Sequence, residues 1–226
     1  TYKLDRELSK TFDTTLSGIK DLSYARYQPV KYLKEDKLQD YAIGPFELNQ
    51  QVNLGGFMKT MLVKRLESSF YAFKKTVDRI ITSYDNFIEM YESGKVLVSK
   101  KHNVYDYYHL DNLDEVLKDF EADEMKYYKS EDFQKDFIKI LNNDLEILRD
   151  IQANWNDVNF DPKLDALKNT IEENLLSKKI LIFTESKETA TYLFDHLNKI
   201  YKDKVMVYSS DIRKISENIL SKSKAR

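Results

Sequence analysis

Eight apolar residues, Leu66, Phe70, Phe73, Val77, Ile80, Tyr84, Phe87 and Tyr91, follow one another at spacings of 4, 3, 4, 3, 4, 3 and 4. Such spacing is the a/d seam of a heptad repeat, and an α-helix keeps those positions on one face. The seam predicts a helix from about Phe57 to Glu92, opened by Gly55-Gly56 and closed by Gly94 at a C-cap position. At 1.5 Å per residue that helix would be about 54 Å long, a rigid strut. Five of the eight seam residues are aromatic. Rings of that size suit packing against other helices of the same chain better than a two-stranded zipper.

Composition agrees with a helix-dominated chain. Five glycines in 226 residues are about 2%, against about 7% on average, and there are three prolines. The same scarcity excludes a function class. None of Gly18, Gly44, Gly55, Gly56 and Gly94 begins G-x-x-x-x-G-K-[ST] or G-x-G-x-x-G, so the sequence holds no standard phosphate-cradling loop. Cysteine is absent, which excludes disulfides, thiol nucleophiles and Cys-ligated zinc. That absence fits a reducing compartment, and a cytoplasmic protein is expected. His102, His109 and His196 form no H-x-x-x-H pair, so no metal site is expected and they read as surface or core histidines. No apolar run approaches the ~20 residues of a membrane span. The charged, polar stretch from Thr1 to Lys10 is no signal peptide. With no initiator methionine, the chain is expected to be a piece of a longer protein.

The formal net charge of −2 hides a polarised distribution. Six basic and two acidic residues between Met58 and Arg79 give +4, whereas fourteen acidic and six basic between Asp106 and Asp150 give −8. A two-signed surface and a pair of solvated helix faces both fit this pattern. Carboxylate pairs such as Asp114-Glu115 and Asp123-Glu124 fall in the acidic, solvated stretch, and no acid–base catalysis is expected of them.

Leu8, Phe12, Leu16, Ile19 and Leu22 make one stripe on a helix that ends by Gln28, because Pro29 disfavours helix in the residue before it. From Val30 to Leu54 the pattern is poor, Gly44-Pro45 marks a turn, and the stretch reads as a connection with short elements. Val96-Leu97-Val98 reads as a short strand or a loop. Asp111 can cap a short acidic helix through Leu113, Val116, Leu117 and Phe120. Ser130 is expected to cap a long helix with Phe133, Phe137, Leu141, Leu145, Leu148 and Trp155 on one face, folded back on the seam helix as an antiparallel bundle. Tyr105, Tyr107, Tyr108, Tyr127 and Tyr128 cluster near the expected turns, either as stacking platforms for nucleobases or as partly buried anchors.

After Phe160 the character changes. Asp161-Pro162 reads as an N-cap with proline at the first helical position, continued by Leu164, Leu167, Ile171 and Leu175. Ile180-Leu181-Ile182-Phe183 is a continuous apolar run, the pattern of a strand buried on both faces in a parallel sheet. Ser186 can cap a helix carrying Ala190, Leu193, Phe194 and Leu197. Val205-Met206-Val207-Tyr208 reads as a second buried strand, and Ile212, Ile215 and Ile219 as the start of a third helix. This order predicts a parallel pair with a right-handed crossover, completed by further strands.

Two stretches resemble superfamily 2 helicases of the bacterial Swi/Snf-like branch. Met61-Leu62-Val63-Lys64-Arg65-Leu66-Glu67-Ser68-Ser69, followed by Ala72-Phe73, resembles the "LLKRLESS…AF" helix between the two RecA-like motor domains. Asp161-Pro162-Lys163-Leu164-Asp165-Ala166-Leu167, followed by Lys179-Ile180-Leu181-Ile182-Phe183-Thr184-Glu185-Ser186-Lys187-Glu188-Thr189-Ala190, resembles the opening of the second motor domain with helicase motif IV. In the next strand, Ser209-Ser210 stand where the family often has glycine. The resemblance implies a helical inter-motor region over residues 1–160 and a truncated second RecA-like domain over residues 161–226. The fold expected is mainly α: a long antiparallel bundle followed by a partial α/β unit with a short parallel sheet.

The same resemblance implies a segment of an ATP-dependent nucleic-acid helicase or translocase. Walker A, Walker B and arginine-finger motifs are all missing from this sequence. Catalytic residues are therefore not expected in it, and ATP and Mg²⁺ would act in the parent protein. The implied partners are nucleic acid, DNA before RNA, and the remaining motor parts. By position, Thr184, Ser186 and Lys187 would meet the nucleic-acid backbone with a hydroxyl, a helix cap and a cation; Ser186 serves equally as a plain cap. Lys64 and Arg65 would touch a phosphate or a motor surface. Lys64 can instead pair with Glu67, and Arg65, lacking an acidic residue three or four positions away, must find its partner in solvent or another element. The competing reading is a non-enzymatic helical interaction module.

Overall fold

The computed structural model of the chain describes residues 3–99, 125–174, 178–184, 186–202, 204–209, 212–215 and 218–219. They are mainly helical, with two small antiparallel sheets. Helix α1 (Arg6–Asp21) starts where the Asp5 carboxylate accepts a hydrogen bond from the Leu8 amide at 2.8 Å. It ends ahead of two 3-10 turns, Ala25–Tyr27 and Pro29–Tyr32. The segment expected as a connection carries α2 (Glu35–Asp40) and the first turns of α3 (Pro45–Ser68), whose proline sits where no helical amide is needed.

The heptad seam runs over two helices rather than one. Helix α4 (Phe70–Glu92) follows α3 after a single residue, Ser69, which is extended at φ −155° and ψ 125°. The Ser69 side chain accepts from the Ala72 amide at 3.3 Å, so this residue stops one helix and caps the next. The expected unbroken helix over 57–92 is thereby corrected, and Gly55-Gly56 lie inside α3 instead of opening it. Every seam residue from Leu66 to Phe87 is buried all the same. Gly94 does close α4, at φ +88°, a conformation suited to glycine.

Strand β1 (Lys95–Ser99) pairs antiparallel with β2 (Met125–Lys129), so Val96–Val98 is a strand. Of the clustered tyrosines, Tyr128 is a buried anchor and Tyr127 is exposed. Tyr105, Tyr107, Tyr108, the expected helix after Asp111, His102 and His109 lie outside the described residues. Ser130 opens a 3-10 turn (Ser130–Asp132) and does not cap the long helix, α5 (Phe137–Asn156). A bridge between Leu33 and Phe133, and the Gln134 amide bonded to the Tyr32 carbonyl at 2.8 Å, hold Phe133 and Gln134 outside the helix, and Lys135-Asp136 turn the chain into it.

Helix α5 runs antiparallel to α4, with Trp155 against Phe70 and Phe73 at one end and Phe137 against Phe87 and Tyr91 at the other. It also runs antiparallel to α1. Trp155 donates to the Thr15 hydroxyl at 2.8 Å, and a Cβ on Gly18 would come within 3.1 Å of Ile151 Cδ1. At the centre Asp144 is buried. Its carboxylate accepts from the Ser23 amide (2.7 Å), the Ala25 amide (3.0 Å) and the Tyr84 hydroxyl (2.8 Å), tying α1's end to α4 and α5. Burial pushes this carboxyl above the ordinary range, and the hydrogen bonds pull it partly back.

Beyond the bundle come α6 (Pro162–Asn174) and α7 (Lys187–Ile200). The strand expected at Ile180–Phe183 belongs to neither sheet; the segment has no regular secondary structure, with Leu181 77% and Phe183 86% exposed. A strand is buried on both faces only between neighbours, and the described residues supply none there. Strand β3 (Met206–Tyr208) pairs antiparallel with β4 (Arg213–Ile215), and β4 with β5 (Asn218–Ile219). The helix expected from Ile212 is this hairpin. The Ser209 amide bonds to the Ile212 carbonyl at 2.7 Å and closes a turn that a helix would have to break. No described helix is long and apolar enough to cross a membrane.

Candidate nucleic-acid interface

The end of α3 and Ser69 face α6, α7 and the segment before α7 across a cleft of about 550 Å³. Ser69 ahead of α4, Asp161 ahead of α6 and Thr189 in the first turn of α7 line it. Helix N-termini carry a partial positive charge, and here Ser69, Asp161 and Ser186 each accept from a first-turn amide. Lys64 and Lys163 add cations at the wall, Glu67 and Asp161 carboxylates, and Phe183 and Tyr192 rings.

The sequence-expected residues distribute unevenly around this cleft. Lys64, exposed on the last turns of α3, lines it. Thr184 lines it too, with its hydroxyl donating to the Ser186 carbonyl at 2.9 Å. Ser186 is buried, and its hydroxyl oxygen accepts from the Thr189 amide at 3.0 Å, so it is a working N-cap. Lys187 is the first residue of α7 and half-buried, outside the cleft lining. Arg65 is buried and turned the other way, its guanidinium 3.5 Å from the carboxylate of Glu188 in α7. The partner required for Arg65 thus comes from another element.

Several neighbours went unnoticed in the sequence. Glu188 also meets Arg79 of α4 at 3.1 Å. Tyr71 of α4 stacks on Tyr192 of α7 with centroids 5.0 Å apart and planes 12° from parallel. Burial, with Asp161 beside it, lifts the Tyr192 hydroxyl above its ordinary range. Asp161 Oδ1 accepts from the Lys163 and Leu164 amides at 3.0 and 3.2 Å, the cap its sequence position suggested. The spacing of Tyr71, Lys75 and Arg79, one helical turn apart inside the basic stretch, was the signal available for the α4 side.

No protein-family model, curated protein or solved structure matches the chain.

Around the cleft the Thr184 hydroxyl donates to a backbone carbonyl, and the Ser186 hydroxyl and the Asp161 carboxylate accept from backbone amides. Among the described residues no group of three or more His, Cys, Asp and Glu could hold a metal ion. His196 contacts the Tyr192 carbonyl through Nδ1 at 2.8 Å and packs on that tyrosine's ring.

Proposed function

We propose that this chain is the inter-motor helical region and the opening part of the second RecA-like domain of an ATP-dependent nucleic-acid helicase or translocase. The observation that carries the reading is the meeting of its two helicase-like stretches. Lys64, Ser68 and Ser69 of one and Thr184 of the other line a single cleft, and Arg65 of the first meets Glu188 of the second. Four consecutive apolar residues at the surface, Ile180–Phe183, support it as well. They are what a parallel strand exposes when its neighbours belong to the remainder of a motor sheet. With those neighbours, α7 would be the crossover to Val205–Tyr208 in a parallel arrangement.

ATP and Mg²⁺ do not fit the residues present. The sequence has no glycine-built phosphate loop, and the described residues offer no metal-ready cluster. The role left to this chain is to grip a nucleic-acid backbone, DNA before RNA, and to join the two motors. Lys64, Lys187 and the helix N-termini act on phosphate, which sets affinity without reading sequence.

The test is fluorescence anisotropy with labelled duplexes of unrelated sequence over a salt series. Affinity should fall steeply with salt and be alike for all duplexes. Lys64→Ala should weaken binding uniformly and reduce the slope of log K against log salt by about 0.9. No binding at low salt, or a salt-insensitive affinity, would overturn the reading in favour of a helical adaptor.

A further inference from the structure

Arg65 on α3 and Arg79 on α4 reach the same carboxylate from two sides. Arg65 Nη1 lies 3.5 Å from Glu188 Oε2, and Arg79 Nη2 lies 3.1 Å from Glu188 Oε1. Each guanidinium addresses its own oxygen of one anion. Guanidinium groups recognise phosphate by the same oxygen geometry that they use for carboxylate. Glu188 therefore occupies the position that a phosphate would take between two arginines.

Exposure is graded across the cluster: the side chains of Arg65, Glu188 and Arg79 are 4%, 15% and 44% exposed. Arg79 is the exposed arginine and Arg65 the buried one, with Glu188 in contact with both. A track leads to them. Tyr71, Lys75 and Arg79 are all exposed on α4 and spaced by four residues, about 6 Å of helix rise per step. The Lys75 ammonium sits 6.0 Å from the Tyr71 ring centre. A polyanion laid along this face meets Lys75, then Arg79, and reaches Arg65 only in the place of Glu188.

We propose that Arg65 and Arg79 are a two-arginine clamp for a backbone phosphate of nucleic acid, and that Glu188 is its internal stand-in, displaced when the phosphate binds. The inference rests on the nucleic-acid reading above and adds Arg79 and Glu188 to it. Exchange of one anion for another keeps a counter-charge beside buried Arg65 throughout, which avoids the cost of an uncompensated buried charge. The departing Glu188 is in the first turn of α7, where a carboxylate stays favourable beside the helix N-terminus. The closed contact lowers affinity, because every phosphate that enters must compete with a tethered carboxylate.

The test compares the full chain with Glu188→Gln, using a labelled single-stranded oligonucleotide and a labelled duplex over a salt series. Glu188→Gln should bind about tenfold more tightly at low salt. Its slope of log K against log salt should steepen by about 0.7 to 0.9 for each further phosphate neutralised. Adding Arg79→Ala to that variant should abolish the gain. Equal affinity and parallel slopes for wild type and Glu188→Gln would overturn the clamp and leave the nucleic-acid reading standing. Absence of binding by both would overturn the two together. If Glu188→Gln fails to fold, Glu188→Asp, which keeps the charge on a shorter arm, takes its place. A gain smaller than tenfold but lost again with Arg79→Ala would then support the clamp, and wild-type affinity would refute it.

Discussion

Removing the Asp144 carboxylate tests whether one buried acid organises the bundle. In Asp144→Ala three donors lose their acceptor: the Ser23 and Ala25 amides and the Tyr84 hydroxyl. A buried donor left without a partner costs about 1–3 kcal/mol, so the gross loss is about 3–9 kcal/mol. Part of it returns, because the mutant no longer has to strip a carboxylate of water, worth several kcal/mol. The net expectation is a destabilisation of about 2–4 kcal/mol, a large share of the ~5–15 kcal/mol that holds a domain together. Urea unfolding followed by circular dichroism measures it, with Tyr84→Phe and the double variant completing a cycle. Tyr84→Phe alone should cost about 1–3 kcal/mol, and the cycle should show a coupling above about 0.5 kcal/mol. A loss below about 1 kcal/mol for Asp144→Ala, or strict additivity in the cycle, would refute the view that this carboxylate ties the α1 end to α4.

Two further outcomes follow from the same geometry. Because burial raises the Asp144 carboxyl above 3.8, its neutral form is the one the fold favours. Its stability contribution is complete below that unfolded value and is lost as pH rises through the folded one. Urea midpoints for wild type and Asp144→Ala should therefore move apart as neutral buffer is acidified towards pH 4, and a narrowing gap would contradict the sign. Ser186→Ala removes the cap on the Thr189 amide and should cost about 1 kcal/mol, a fall in melting temperature of about 2–4 °C. Thermal melts that leave Ser186→Ala unchanged would show that the cap is not what keeps this serine.

Much of the fold was legible in spacing alone. The stripe of α1, the seam of α4 and the face of α5 were readable because each places one broad apolar side against the others. The caps at Asp161 and Ser186 were equally plain, a short polar side chain just ahead of a periodic run. Ser69 was not, since the step from Leu66 to Phe70 is helical in length and the apolar face passes through the break in phase. The hairpin after Ser209 was missed for a similar reason, because three isoleucines at helical intervals also fit two very short strands. At the candidate site, Lys64 and Thr184 were named from the sequence and both line the cleft. The partner of Arg65 was not nameable, because Glu188 meets it only through folding of distant segments.

Ser69 also changes what the seam can do mechanically. A continuous rod passes a push straight along its axis. Here the rod is bent: α3 and α4 meet at one extended residue, Ser69. Both arms are held in the core, α3 by buried Leu54, Met58, Leu62 and Leu66 and α4 by Phe70 against Trp155. A push along α3 is therefore turned at Ser69 instead of passing straight into α4, and the groups nearest that bend are Lys64 at the cleft and Arg65 at Glu188.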